Sequence, residues 1–184
     1  AEEDAALVWP FLDRMAAAAA DGGGSGDDEA CWRNITRTAA ELVTPGVGRL
    51  LPLVLASRQY GAKLQMVRQL AEQFHPQQTA ACCFVSVDGL VASTGEQLEG
   101  LLAAGAGGGA GAGAVDPALY SSTSESEQLF PFDHLYGSGD GRVAVMYGSP
   151  GLPCFGPLHA RLKAAAAGGG LAYAFRPLLQ PQCE

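Results

Sequence analysis

The sequence predicts a mixed α/β fold: a βαβ core joined to an α-helical subdomain. Three observations predict it. Val143 to Tyr147 is a short apolar run, as expected of a strand buried on both faces. Phe155, Leu158, His159 and Leu162 then recur at helical spacing and form one stripe. Gly168 to Gly170 stop that helix, and Leu171 to Phe175 reads as a second strand. A strand, a helix and a strand in this order make a βαβ unit, whose right-handed crossover sets the two strands parallel.

Gly148 to Pro153 separates the first strand from the helix, and the turn reads Gly151-Leu152-Pro153-Cys154. It resembles a thioredoxin active-site loop that lacks its first cysteine, so the expected core is thioredoxin-like. A dithiol oxidoreductase needs an attacking and a resolving thiol on one turn. Gly151 stands at the attacking position and Cys154 at the resolving one. Cys154 has a bland reading, a small buried apolar residue at a helix start. It has a sharper one, a reactive single thiol or a disulfide partner. Phosphate binding is disfavoured, because the loop has no lysine and neither a GxGxxG nor a GxxxxGK[ST] pattern.

Composition narrows the function classes. The chain has 184 residues, 48% of them hydrophobic, which is ordinary for a globular chain. The net charge of −8 argues against nucleic acid, which needs clustered Lys and Arg. The strongly apolar run Leu50 to Ala56 contains Pro52 and is far too short to span a bilayer, so no membrane insertion is expected. Asn34-Ile35-Thr36 is a glycosylation sequon. The five cysteines (Cys31, Cys82, Cys83, Cys154, Cys183) are compatible with an oxidising lumen. Their odd number leaves at least one free or paired outside the chain. Cys82 and Cys83 are adjacent and point to opposite faces if they sit in a strand. The first residue is Ala1, which reads as a processed chain or an excised fragment.

Residues 1–80 form the expected α-helical subdomain. Glu2 to Ala20 reads as a helix that Pro10 could restart near Trp9. Asp27 or Asp28 caps a second helix through Val43, with Trp32, Ile35, Ala39 and Leu42 as its apolar stripe. Val47 to Ser57 reads as helical despite Pro52, and Tyr60 to Phe74 as helical throughout. Residues 81–184 form the α/β part. Ala81 to Val91 is β-rich, with Asp88-Gly89 as a hairpin turn. Gly95 to Leu102 is a short helix, and residues 103–114 read as a flexible Ala/Gly loop. Ala16–Ala20, Gly22–Gly24 and Ala164–Gly170 share this bias and read as tolerated loop expansion. Ser121 to Glu127 reads as a polar loop, and the apolar segment Leu129 to His134 leads into the βαβ unit.

Catalytic and metal signals are thin. His75, His134 and His159 are scattered, with no second ligand at His/Cys spacing. His159, on an apolar stripe, reads as a satisfied core residue. Glu125, Glu127 and Asp133 read as a solvated acidic edge. No catalytic, cofactor or metal residue is assigned in the chain.

Several motifs in order resemble the first thioredoxin-like domain of the UDP-glucose:glycoprotein glucosyltransferase family, its plant or algal branch above all. They are Tyr147, Phe155, Leu158, His159 and Leu162, followed by Tyr173, Arg176 and Leu179. Further back lie SRQYGAKLQMVRQLAEQF, the CCFVSVDG strand and FPFDHLY, so the likeness covers about residues 30–184. The resemblance implies a lumenal endoplasmic-reticulum enzyme that re-glucosylates high-mannose N-glycans on incompletely folded glycoproteins. That enzyme uses UDP-glucose and a divalent cation in a separate catalytic domain bearing a DxD motif. No DxD triplet occurs here, so no catalytic residue is carried over. The implied role is non-catalytic recognition of misfolded glycoproteins beside other domains of the same chain. The segment would be an incomplete domain of the larger protein. Ser93 and Thr94 stand where family members often carry a further cysteine, which puts the usual local disulfide in doubt. Two alternatives remain: a single-cysteine redox protein using Cys154, and a purely structural interaction module.

Overall fold

The computed structural model describes residues 5–20, 28–58, 60–78, 80–106, 121–122, 128–138, 142–180 and 183. Four helices come first: α1 (Val8–Ala20), α2 (Asp28–Ala40), α3 (Pro45–Ala56) and α4 (Gly61–Phe74). The strands β1 (Phe84–Val87) and β2 (Leu90–Ala92) precede α5 (Gly95–Ala106). Then follow β3 (Ser121–Ser122), β4 (His134–Tyr136), β5 (Val143–Gly148), α6 (Phe155–Ala167) and β6 (Ala172–Pro177).

One six-stranded sheet has the order β3-β2-β1-β5-β6-β4. β5 and β6 run parallel with α6 between them, as the sequence pattern predicts. The other neighbouring pairs are antiparallel. Asp88 and Gly89 turn the β1–β2 hairpin with φ of 51° and 80°, the left-handed pair that a two-residue turn needs.

The side-chain period of two decides how the sheet is covered. Val85, Val87, Ala144, Met146 and Tyr173 point to one face, where Phe155, Leu158 and Leu162 of α6, Leu98 and Leu101 of α5, and Trp9 and Leu12 of α1 complete the core. Phe84, Val145, Tyr147 and Ala174 point to the other, beneath Val67 and Ala71 of α4. The result is three layers, with helices on both faces of the sheet. α1 therefore shares its core with the α/β part, although more than a hundred residues separate it from α6. The close approach of α1 to α6 needs Gly156, where a Cβ would lie 3.1 Å from the Ala16 carbonyl oxygen.

Several sequence expectations change. Ala16–Ala20, Ala103–Ala106 and Ala164–Ala167 are helical, extending α1, α5 and α6. Alanine is the strongest helix former, so these runs lengthen helices that neighbouring turns have already nucleated. Gly22–Gly24 and the rest of the 103–114 stretch lie outside the described residues. Ser121–Ser122 forms a short edge strand on β2 rather than a loop. Trp32 is 44% exposed, so the predicted stripe of α2 does not wholly face the core. α1 begins at Val8, which puts Pro10 in its first turn, where no backbone donor is missed.

The largest correction concerns Asp133, expected on a solvated edge. Its side chain is 2% exposed and meets Arg176, 1% exposed, in a bidentate pair. Arg176 Nε donates to Asp133 Oδ1 at 2.9 Å, and Nη2 donates to Oδ2 at 2.7 Å. Nη1 donates to the Tyr147 hydroxyl at 2.8 Å, and Nη2 also to the Gln128 carbonyl at 2.8 Å. Asp133 Oδ2 accepts the Phe130 backbone N–H at 2.8 Å as well. Charges this deep persist only because the fork geometry satisfies donors and acceptors together. Glu125 and Glu127 lie outside the described residues. Asp133→Ala strands the buried guanidinium. We expect it to lower unfolding free energy in urea by about 3–5 kcal/mol. Exposed Glu99→Ala, which loses only a surface pair with Arg161, should cost no more than about 1 kcal/mol.

Candidate functional site

The turn after β5 is where the sequence places a thioredoxin-like loop without its first cysteine. Residues 149–154 carry the chain from β5 into α6, whose first residue, Phe155, is fully buried. Cys154 is the residue before α6, and its sulfur is bonded to Cys83. The bland reading of Cys154 therefore gives way to the disulfide one. Cys154 carries no free thiol with which to act alone. The adjacent Cys82 bonds instead to Cys183, tying the distal end of the described chain to the start of β1. The two neighbouring cysteines thus turn to different partners, from a bend just before β1 rather than from the two faces of a strand. Gly148 makes room for the first bridge: a Cβ there would come within 3.1 Å of Cys83 Sγ.

Ser93 and Thr94 serve α5. Gln97 Oε1 accepts the Ser93 and Thr94 backbone N–H groups at 2.9 and 3.2 Å, and Thr94 Oγ1 accepts the Gln97 N–H at 3.3 Å. This is a capping box, satisfying donors that a helix start leaves open.

Cys31 is the free cysteine among the described residues, and it is exposed. It lies on α2, yet a Cβ at Gly151 would sit 3.6 Å from Cys31 Sγ. A sulfur from a distant helix therefore stands against the position where a dithiol turn would carry its first cysteine. Sequence spacing offers no signal for this, beyond the odd cysteine count.

Asn34 lies within α2, half-buried, with its Oδ1 accepting from Arg37 at 3.2 Å. Thr36 of the same sequon donates its hydroxyl to the Trp32 carbonyl at 2.8 Å. Among the described residues, no three His, Cys, Asp or Glu side chains cluster as metal ligands would. None of the described helices is long and apolar enough to cross a membrane.

His159 is held in a polar chain beneath α1. Its Nδ1 lies 2.9 Å from the Tyr173 hydroxyl and its Nε2 lies 3.1 Å from Asp13 Oδ1. Lys163 donates to the other Asp13 oxygen. Phe155 stacks on the imidazole at 5.1 Å and Trp9 at 6.5 Å. Burial pushes the imidazole below its usual pKa, against the pull of Asp13. Burial also pushes the Tyr173 hydroxyl far up, so it stays protonated. Asp13 ends below its ordinary value. Burial would raise it, but the Lys163 and His159 contacts together outweigh that. The imidazole thus lies between the Asp13 carboxylate at Nε2 and the Tyr173 hydroxyl at Nδ1, and that hydroxyl also donates to Met146 Sδ at 3.4 Å. His159 is a satisfied core residue, as its place on the stripe suggests. An open cleft of about 680 Å³, lined by Asp13, Tyr136 and Lys163 among mostly alanine and proline neighbours, lies beside it.

The more apolar cleft lies between the helical layer and the β4–β6 edge. It measures about 480 Å³. Phe11 and Leu12 of α1, Leu51 of α3, Leu64 of α4, Phe132 and Phe175 give it a nearly all-apolar lining. The Asp133–Arg176 pair borders it, with its charges already satisfied by each other. Such a wall can hold aliphatic or aromatic groups, and Tyr60, Lys63 and His134 add the polar part of the lining.

A sequence-family model described as a thioredoxin-like domain matches residues 1–184. The chain belongs to this thioredoxin-like family. The parallel β5–α6–β6 unit, helices on both sheet faces and the turn at 151–154 agree with that membership. No curated protein matches the chain.

Two outcomes follow. The unfolded chain binds a proton at position 159 more readily than the folded one. The stability due to His159 is therefore complete above about pH 6.5 and declines as pH falls toward the folded pKa. Urea unfolding should show a smaller loss between pH 7.5 and 5.5 for His159→Gln than for the wild type. The Cys83–Cys154 bridge closes a 71-residue separation. Cys154→Ser should cost roughly 2–5 kcal/mol, seen as a lower denaturation midpoint.

Proposed function

We propose that this thioredoxin-like chain is a non-catalytic, client-recognising domain of a UDP-glucose:glycoprotein glucosyltransferase of the endoplasmic-reticulum lumen. Its partners are misfolded glycoproteins and the other domains of the same protein. The divalent cation and UDP-glucose belong to the catalytic domain of that larger protein and find no role here. The ordered motifs from Tyr147 to Leu179 support the family reading.

One observation carries the recognition role. α3 is a twelve-residue helix of apolar composition with no buried residue. Val47, Leu50 and Leu53, at i, i+3 and i+6, are 51%, 57% and 69% exposed. A soluble domain leaves such a stripe bare at a cost, unless something apolar covers it. An unfolded glycoprotein segment supplies apolar side chains without a fixed shape, and the neighbouring cleft has an apolar lining to receive them. The Cys154 bridge counts against the single-thiol alternative.

The test is binding of the chain to one glycoprotein in native and denatured forms. Preference for the denatured form is the expected result. A folded chain that binds both equally, or neither, would overturn the role and leave a structural module. Leu50→Asp with Leu53→Asp should weaken capture of the denatured form at least tenfold. Because both positions are exposed, the thermal midpoint should move little.

A further inference from the structure

We propose that Cys31, Cys154 and Cys83 form an internal thiol–disulfide exchange site, in which the Cys31 thiolate attacks Cys154 Sγ. This goes beyond client recognition and does not depend on it. The inference stands on the placement of three sulfurs by three separate elements. Cys83 enters from the bend just before β1, Cys154 from the turn before α6, and Cys31 from α2. On a Cys-x-x-Cys turn the first residue is the one whose sulfur reaches the fourth. Here that first position is Gly151, which has no side chain. The sulfur facing it, 3.6 Å from where its Cβ would be, is that of Cys31. α2 thus brings a sulfur to the side of the turn that lacks one.

The burial pattern selects the bond that reacts. Cys31 is a free cysteine exposed to solvent. Cys154 is half-buried, whereas Cys83 is buried beneath the sheet. Attack therefore falls on Cys154, the less buried of the two bonded residues. The new bond is Cys31–Cys154 and the bond broken is Cys83–Cys154. The electron pair leaves on Cys83, which takes a proton from solvent as Cys31 has given one up. One disulfide and one thiol exist before and after, so the step needs no external oxidant or reductant. Cys82–Cys183 is untouched. The exchanged form ties α2 covalently to the turn before α6. Ala39, on the same helix, lines the apolar cleft, so the exchange fixes one wall of that cleft.

The test is disulfide mapping of the whole chain after incubation in a glutathione redox buffer at pH 8, with acid quench and alkylation. The wild type should yield a Cys31–Cys154 linked peptide in the monomer, together with alkylated Cys83. Cys31→Ser should abolish that peptide and keep Cys83–Cys154. Cys83→Ala should convert essentially all monomer to the Cys31–Cys154 linkage on oxidation. A folded wild type in which Cys31 alkylates fully and Cys83 is found only bonded to Cys154 would overturn the proposal. If Cys83→Ala does not fold, the comparison of wild type with Cys31→Ser decides alone. Gly151→Cys reports the proximity separately. With Cys83–Cys154 intact, the introduced thiol should trap Cys31 in a new bridge. A Cys31 that stays alkylatable in that variant would count against the geometry.

Discussion

The buried pair of Arg176 and Asp133 is the constraint around which the β4–β6 half of the molecule is arranged. Arg176 comes from β6, Asp133 from the segment leading into β4, and Tyr147 from β5. Phe130 and Tyr147 present their ring faces to the guanidinium at 5.3 and 5.6 Å. A charge in such a place cannot be left alone, so the segment from 128 to 133 must close over it in one geometry. That requirement positions Phe132 and the short β4 strand, and with them the sheet-side wall of the apolar cleft. The cleft is apolar because its bordering charges are spent on each other.

The second fixed point is the turn at 151–154. A thioredoxin-like scaffold holds its active turn at the start of a helix, between two parallel strands. Here the same position carries a cross-link to β1, so the turn is braced. Of the thioredoxin-like turn, Pro153 and Cys154 are present and Gly151 stands at the first cysteine position. In the helical layer, α3 holds apolar residues in solvent and α2 brings a free thiol to the turn.

What the sequence makes legible is what depends on local period. The Val143–Tyr147 run, the Phe155–Leu162 stripe, the Asp88-Gly89 turn and the helix ending at Phe74 each announce themselves within a few residues. Contacts between distant parts do not. Asp133 reads as surface because carboxylates usually are, and its partner lies 43 residues away. Trp32 and Val47 have the same apolar character as buried residues, so their exposure leaves no mark in the pattern. Cysteine pairing follows from three-dimensional neighbours, as does the meeting of Cys31 with Gly151. Alanine runs are ambiguous for a different reason. They bury little, so only the presence of an adjoining helix decides that they extend it.

The docking of α1 on α6 also fixes an order of events during synthesis. Asp13 and His159 are 146 residues apart, and Trp9 and Leu12 find their core partners largely in the second half of the chain. At ribosomal speed the first helix waits on the order of 10 s before α6 exists to receive it. Cys82 depends on a partner that emerges later still, because Cys183 follows α6 and β6. Through that interval the nascent chain carries an amphipathic helix without a home and a thiol without its partner. For that time the first helix shows to solvent the apolar face that the second half of the chain later covers.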